Sequence, residues 1–182
     1  MKWKVLESEY IYKDGPWLTI RKDKCELPNG KIMPAFYVQE YPEWTSAFAL
    51  TRENKVLMIK QYRHGIEQIT TEVPGGVVDK GEEPVAAIRR ELLEETGYQF
   101  DSFEFLGKVC ANPSTGDNFL HMFLARGGEK VAEQKLDDTE DVEVVVYTID
   151  EVKQLLKENK IVQSLHVACI FYALNHLGEM EY

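Results

Sequence analysis

The chain has 182 residues, 44% of them hydrophobic, and a formal net charge of −10. That length supports one core with a small extra element, and the acidity argues against a broad face for polyanions, so nucleic acid is not an expected partner. No apolar run reaches the length of a membrane span, and Met1-Lys2-Trp3-Lys4 lacks a signal-type apolar region, which predicts a cytoplasmic protein with no membrane partner.

Alternating segments open the chain at about Val5 to Tyr12, Trp17 to Lys24 and Lys31 to Glu40. Lys13-Asp14-Gly15-Pro16 and Leu27-Pro28-Asn29-Gly30 separate them, and Asn29-Gly30 is a hairpin signal. Strands are next predicted at about Ser46 to Thr51, Lys55 to Tyr62 and Thr70 to Val73. Pro84 suits a first helical turn and Gly97 the left-handed residue beyond a helix end, which bounds a helix at about Pro84 to Thr96. Further strands fall near Glu104 to Ala111, Asn118 to Ala125 and Glu143 to Tyr147. Thr148-Ile149-Asp150-Glu151 is a capping box opening a helix to about Glu158, and a second apolar-rich helix runs from about Gln163 to His176 and ends at Gly178. Strands interrupted by one helix and closed by helices indicate an α+β fold.

The helix from Pro84 carries the chemistry. At about 100° per residue, Glu91 and Glu95 stack one turn apart with Glu94 beside them and Ala87 below, while Val85, Ile88, Leu92 and Leu93 fall on a side expected to pack inward. Like charges at i, i+4 repel by about 0.2–0.5 kcal/mol, and these crowd the C-terminal end, where the macrodipole already disfavours anions. A hard cation, Mg²⁺ or Mn²⁺, resolves the conflict, because it takes carboxylate oxygens and keeps other positions for water and phosphate. Cys25, Cys110 and Cys169 show no C-x-x-C spacing and are expected to be free thiols. His64, His121, His166 and His176 form no metal spacing and are expected to be structural.

From Gly76 to Tyr98 every defined position of G-x5-E-x7-R-E-U-x-E-E-x-G-U is filled, with U apolar or aromatic. By chance this happens on the order of once in a billion start points at average residue usage. The segment resembles the Nudix box, the metal-binding loop-helix-loop of enzymes that hydrolyse a nucleoside diphosphate linked to another moiety. The resemblance implies an α/β/α sandwich around a mixed sheet over residues 44–182, with residues 1–43 forming an appended antiparallel sheet. It implies that Glu82 pairs with Arg90 to brace the loop. It also implies that the Gly75 carbonyl joins Glu91 and Glu95 as a metal ligand, with Glu94 available for a further ion.

Members that cleave ADP-ribose and other nucleoside diphosphate sugars carry such an N-terminal sheet, dimerise through it and share substrate between subunits. Gln61-Tyr62-Arg63, Glu72-Val73-Pro74-Gly75-Gly76 and Asn112-Pro113-Ser114-Thr115-Gly116-Asp117 look like theirs. Pro113 lies 15 positions after Tyr98, a spacing associated with ADP-ribose, and Ser114 follows it in the same loop as a second substrate contact. All three tryptophans lie in the first 44 positions with Tyr10, Tyr12, Phe36, Tyr37 and Tyr41; interface, base stacking or plain packing would each explain this, and Trp17 or Tyr37 is the choice for a stacking ring. Ile32-Met33-Pro34-Ala35-Phe36-Tyr37 has no Arg where relatives often place a basic residue. Arg63 is therefore the expected phosphate or ribose contact, since a guanidinium binds two oxygens at once. Leu136-Asp137-Asp138-Thr139-Glu140-Asp141-Val142-Glu143 stands where these hydrolases carry a catalytic glutamate. Glu140 is the choice for the base, with Asp141 and Glu143 as rivals and Glu94 as a second catalytic acid.

The expected activity is thus Mg²⁺-dependent hydrolysis of a nucleoside diphosphate sugar, of the ADP-ribose or GDP-mannose class, by a homodimer. One alternative is a sensor module that binds nucleotide sugars without cleaving them, although such boxes usually lack an acid and this one is complete. The other is a nucleoside-triphosphate or capped-RNA hydrolase, which the N-terminal sheet, Pro113 and the acidic composition disfavour.

Overall fold

The computed structural model of the protein describes residues 1–15 and 17–180, so Pro16 of the first predicted turn lies outside the described residues. The chain divides into two compact units, one of Met1–Pro42 with Cys110–Phe119 and one of Glu43–Val109 with Leu120–Tyr182.

In the first unit, β1 (Lys4–Asp14), β2 (Leu18–Glu26) and β3 (Ile32–Glu40) form an antiparallel sheet in that order. Cross-strand Lys22–Glu9 and Lys24–Glu7 pairs, at 2.8 and 2.7 Å, fix the β1–β2 register. Every residue of β1 is exposed. The β2–β3 hairpin forms where Asn29-Gly30 signals it, but as a longer turn than the two-residue one that dipeptide favours. Gly30 alone is left-handed (φ 78°), the Leu27 carbonyl accepts from the Gly30 N–H, and the Asn29 side chain accepts from the Lys31 N–H. The segment Cys110–Phe119 adds to this unit at β3. The Gln39 N–H donates to the Thr115 carbonyl, the Tyr41 N–H to the Asp117 carboxylate, and Asn118 Nδ2 to the Pro42 carbonyl.

The second unit is a helix-flanked mixed sheet. Its strands are β4 (Trp44–Thr51), β5 (Val56–Arg63), β6 (Gln68–Glu72), β7 (Gly75–Val77), β8 (Tyr98–Gln99), β9 (Ser102–Val109), β10 (Leu120–Lys130) and β11 (Val142–Tyr147). The main order is β11-β5-β4-β10-β8, with β6 on β5, β7 on β4 and β9 on β10. Among the described residues of this unit, β4 and β10 alone pair in parallel. The period-2 geometry of strands splits the core in two. Ala47, Ala49, Leu57, Phe123 and Ala125 face α1 (Pro84–Thr96), meeting Ile88 and Leu92. Phe48, Leu50, Val56, Met58, Met122 and Leu124 face the other way, meeting Val152 of α2 (Ile149–Lys157) and Leu165, Cys169, Ile170, Ala173 and Leu174 of α3 (Ser164–Leu177). This is the expected sandwich around a mixed sheet. Among the described residues no helix is long and apolar enough to cross a membrane.

Local signals explain the helix limits. Pro84 occupies the first turn of α1 and Gly97 caps it in the left-handed region (φ 75°), its N–H donating to the Leu93 carbonyl. Thr148 and Glu151 exchange both bonds of the capping box at α2. Val85 departs from the expectation that it packs inward with Ile88 and Leu92: it is exposed, because it lies in the first turn and the buried stripe runs through Ala87, Ile88 and Leu92. β7 and β8 went unpredicted, being too short to show alternation.

Candidate active site

Two glycines set the floor of the site. A Cβ on Gly75 (φ 157°) would stand 2.1 Å from the Thr45 carbonyl oxygen, and one on Gly76 would stand 2.4 Å from the Glu91 carboxyl. The backbone of β7 therefore lies tight against the β4 backbone at Gly75, where only glycine fits, and against the Glu91 carboxyl of α1 at Gly76. The Gly75 N–H donates to Glu95 Oε2 at 3.0 Å, which ties the strand to the helix face carrying the acids.

Arg90 organises that face. Its Nε and Nη2 reach both oxygens of Glu82 at 3.2 and 3.0 Å, and Nη2 also donates to the Val77 carbonyl at 3.0 Å. Nη1 donates to Glu91 at 2.9 Å and to Glu94 at 3.1 Å. Glu82 in turn accepts from the Asp79 N–H at 3.1 Å, closing the loop on itself. The Arg90 bond holds the Glu82 carboxyl below its ordinary value.

Glu95 is 6% exposed. Burial pushes its carboxyl up to about 8; the Gly75 N–H and Arg63 oppose the rise, while the charges of Glu91 and Glu140 add to it. Burial raises Glu91 as well, opposed by Arg90 and reinforced by Glu94 and Glu140. Among the described residues no three His, Cys, Asp or Glu side chains form a ready-made metal cage, and Arg90 occupies an oxygen of both Glu91 and Glu94. The donor set nevertheless fits a hard cation. It is wholly oxygen, it includes a buried acid whose charge nothing fully balances, and it lies on a glycine cradle that a side chain would fill.

Arg63 ends β5 and spends two donors on Glu72: Nε to Oε1 at 2.9 Å and Nη2 to Oε2 at 2.6 Å. Glu140 is exposed and accepts from the Asp137 N–H at 3.1 Å, and its charge is felt by both Glu91 and Glu95. Asp141 and Glu143 are exposed, and neither is among the causes of those two shifts. Gly75, Arg63, Glu91, Glu94, Glu95 and Glu140 thus belong to the second unit, whereas Trp17, Tyr37, Pro113 and Ser114 belong to the first. Trp17 and Tyr37 are exposed there, and the Ser114 N–H donates to the Asn112 side chain at 3.2 Å.

Two residues that sequence reasoning gave no chemical role stand beside Arg63. Glu72 is fully buried, and His166, also buried, brings Nδ1 within 3.3 Å of Glu72 Oε2. A charged residue closing the strand Gln68-Ile69-Thr70-Thr71-Glu72, whose one apolar side chain, Ile69, is exposed, does not announce burial; only the partner set does.

Residues 42–166 match the NUDIX domain, and residues 3–38 match the nucleoside diphosphate sugar hydrolase N-terminal domain. The chain is 35% identical over 170 residues to a methanol dehydrogenase activator of Bacillus methanolicus, covering 93% of this chain and 91% of the relative. It is 32% identical over 179 residues to an ADP-ribose pyrophosphatase of Bacillus subtilis (strain 168), covering 98% and 94%. A crystal structure of an ADP compounds hydrolase superposes with a TM-score of 0.85 over 99% of this chain and 98% of that one; at 21% identity it speaks for the fold. With the family match spanning most of its length and full-length relatives above 30% identity, the chain belongs to the Nudix family.

Proposed function

We propose that the protein hydrolyses the diphosphate bond of a nucleoside diphosphate sugar, of the ADP-ribose or GDP-mannose class, giving a nucleoside monophosphate and a sugar phosphate. The observation that carries this reading is Glu95, a buried carboxyl with acidic neighbours held against the Gly75 backbone. Such an arrangement opposes stability unless a cation completes it. The N-terminal match to the nucleoside diphosphate sugar hydrolases supports the substrate class.

Glu91, Glu94, Glu95 and the Gly75 carbonyl would hold Mg²⁺ or Mn²⁺, which supplies charge withdrawal from phosphorus and acidifies a bound water. Glu140 accepts the proton of the attacking water. Arg63 offers its remaining donors to a phosphate or ribose oxygen, and Trp17 or Tyr37 stacks on the base, with Pro113 and Ser114 shaping the loop. Water adds to one phosphorus as the bridging oxygen departs on the other phosphate, an anion stable enough to need no strong general acid. Arg90 keeps Glu91 and Glu94 oriented through Nη1 while Glu82 holds the other side of its guanidinium.

The working form is a homodimer in the cytoplasm. Exposed Val5, Leu6, Tyr10, Ile11 and Tyr12 along β1 are apolar surface for a second copy to cover, and three free cysteines suit a reducing compartment. Purified protein given ADP-ribose or GDP-mannose with Mg²⁺ is expected to release AMP or GMP, and chelation to stop it. Glu95→Gln and Glu140→Gln should each lower kcat by about 100-fold or more, with metal binding spared only in the second. Tight binding of the sugar nucleotide without any product would overturn the reading in favour of a sensor module.

A further inference from the structure

Glu72 gathers an unusual number of donors for a residue at the end of a strand. Oε1 accepts from Arg63 Nε at 2.9 Å and from Thr70 Oγ1 at 2.5 Å; Oε2 accepts from Arg63 Nη2 at 2.6 Å and from Gln61 Nε2 at 3.3 Å. Burial works to raise its carboxyl, and the Arg63 and Thr70 bonds reverse this, so the charged form is the resident one. His166, in the first turn of α3, approaches the same Oε2 at 3.3 Å, yet its buried Nδ1 makes no formal hydrogen bond among the described residues. Burial holds this imidazole down to about 4, so it is neutral and has one N–H to place.

The choice of tautomer follows from that position. A bare Nδ1 would set its lone pair beside a carboxylate oxygen 3.3 Å away, which is repulsive in a low-dielectric interior, whereas an Nδ1–H is attracted to that oxygen. We infer that His166 is a positioning residue: through Nδ1–H it fixes Glu72, and Glu72 clamps the Nε/Nη2 edge of Arg63 so that the Nη1 edge is presented, already oriented, to the substrate. The inference rests on the proposed substrate role of Arg63. A side chain 46% exposed would otherwise sample many rotamers, and holding it by one edge removes that entropy cost before substrate arrives. The charge of Arg63 is felt by Glu95, which sets the guanidinium in the electrostatic range of the acid face.

The test uses variants that differ in where they put a donor. Asn at position 166 can place its amide N–H where Nδ1–H stands, Gln places one farther out, and Leu supplies none. His166→Leu is expected to raise KM for ADP-ribose about tenfold or more with kcat changed far less, the usual scale for a bond to a charged group, and His166→Asn to restore most of the loss where His166→Gln does not. In the Arg63→Ala background, His166→Leu should add almost nothing, since the residue it positions is gone. Equal and additive losses in both backgrounds would overturn the inference. A second measurement is independent of turnover. Long-range ¹H–¹⁵N correlation should show Nδ1 of His166 as the protonated nitrogen, and the Arg63 Nε–H should exchange faster with solvent in His166→Leu. A bare Nδ1, or unchanged exchange, overturns the positioning role whether or not nucleotide sugars are cleaved. A protein with protonated Nδ1 and slow Arg63 exchange but no turnover leaves the positioning intact and removes the substrate reading instead.

Discussion

At Glu95, burial and two acidic neighbours favour the protonated carboxyl, lifting it from an ordinary value of 4.5 to about 8. A group raised on folding binds more protons in the native state across that interval, so its contribution is complete below pH 4.5 and is lost as pH rises through 8. The slope reaches about 1.4 kcal/mol per pH unit. His166 acts oppositely, being lowered from 6.5 to about 4 by burial, so its native state resists protonation and stability grows as pH rises toward 6.5. Between about pH 6.5 and 8 the Glu95 slope therefore stands clear. Denaturant titrations of cation-free protein should show stability falling over that window, and Glu95→Gln should flatten the fall; identical slopes would remove the strained acid. Mg²⁺ affinity should climb with pH over the same range, with proton release visible by calorimetry in buffers of different ionisation enthalpy. The acids were legible in the sequence from spacing alone. Their degree of burial was not, since helical periodicity puts Glu91 and Glu95 on one stripe without saying that β7 lies across them.

Element boundaries were legible wherever a residue type has a backbone consequence. Pro84 and Gly97 bound α1 as predicted, and Thr148 with Glu151 opened α2. β7 was not legible because its three residues, Gly75, Gly76 and Val77, show no alternation and owe their pairing to β4. That dependence makes the two glycines separable by experiment. Gly75→Ala drives a Cβ into the Thr45 carbonyl, a backbone atom that cannot yield, and should cost about 1–3 kcal/mol of stability. Gly76→Ala meets first the Glu91 carboxyl, the far end of a flexible side chain. It should leave the melting temperature nearly unchanged while weakening Mg²⁺ binding about tenfold, the effect of one displaced charged ligand. Equal thermal shifts in the two variants would show that β7 is not held as described.

At the level of the whole molecule, 11 residues of β1 lie exposed along one edge of a sheet. Long exposed edges are hazards unless covered, and Val5, Tyr10 and Ile11 give this one an apolar character. Sedimentation velocity should report a dimer, and Val5→Lys with Ile11→Lys should shift it to monomer; an unchanged dimer would move the interface elsewhere. The family resemblance implies one cut near residue 43, between an appended sheet and the box-bearing region. A single cut does not describe the connectivity, because Cys110–Phe119 returns to the first unit and bonds to Gln39, Tyr41 and Pro42. Hydrogen bonds between residues separated by 76 positions are invisible to local pattern. That return loop also bears on ancestry: the opening segment meets it through main-chain groups alone, the Gln39 and Tyr41 N–H and the Pro42 carbonyl, so a foreign opening segment brought in by a crossover could keep these bonds whatever its side chains. Divergence of side chains in the opening strands therefore places no demand on Thr115, Asp117 or Asn118, and the seam constrains backbone path rather than sequence.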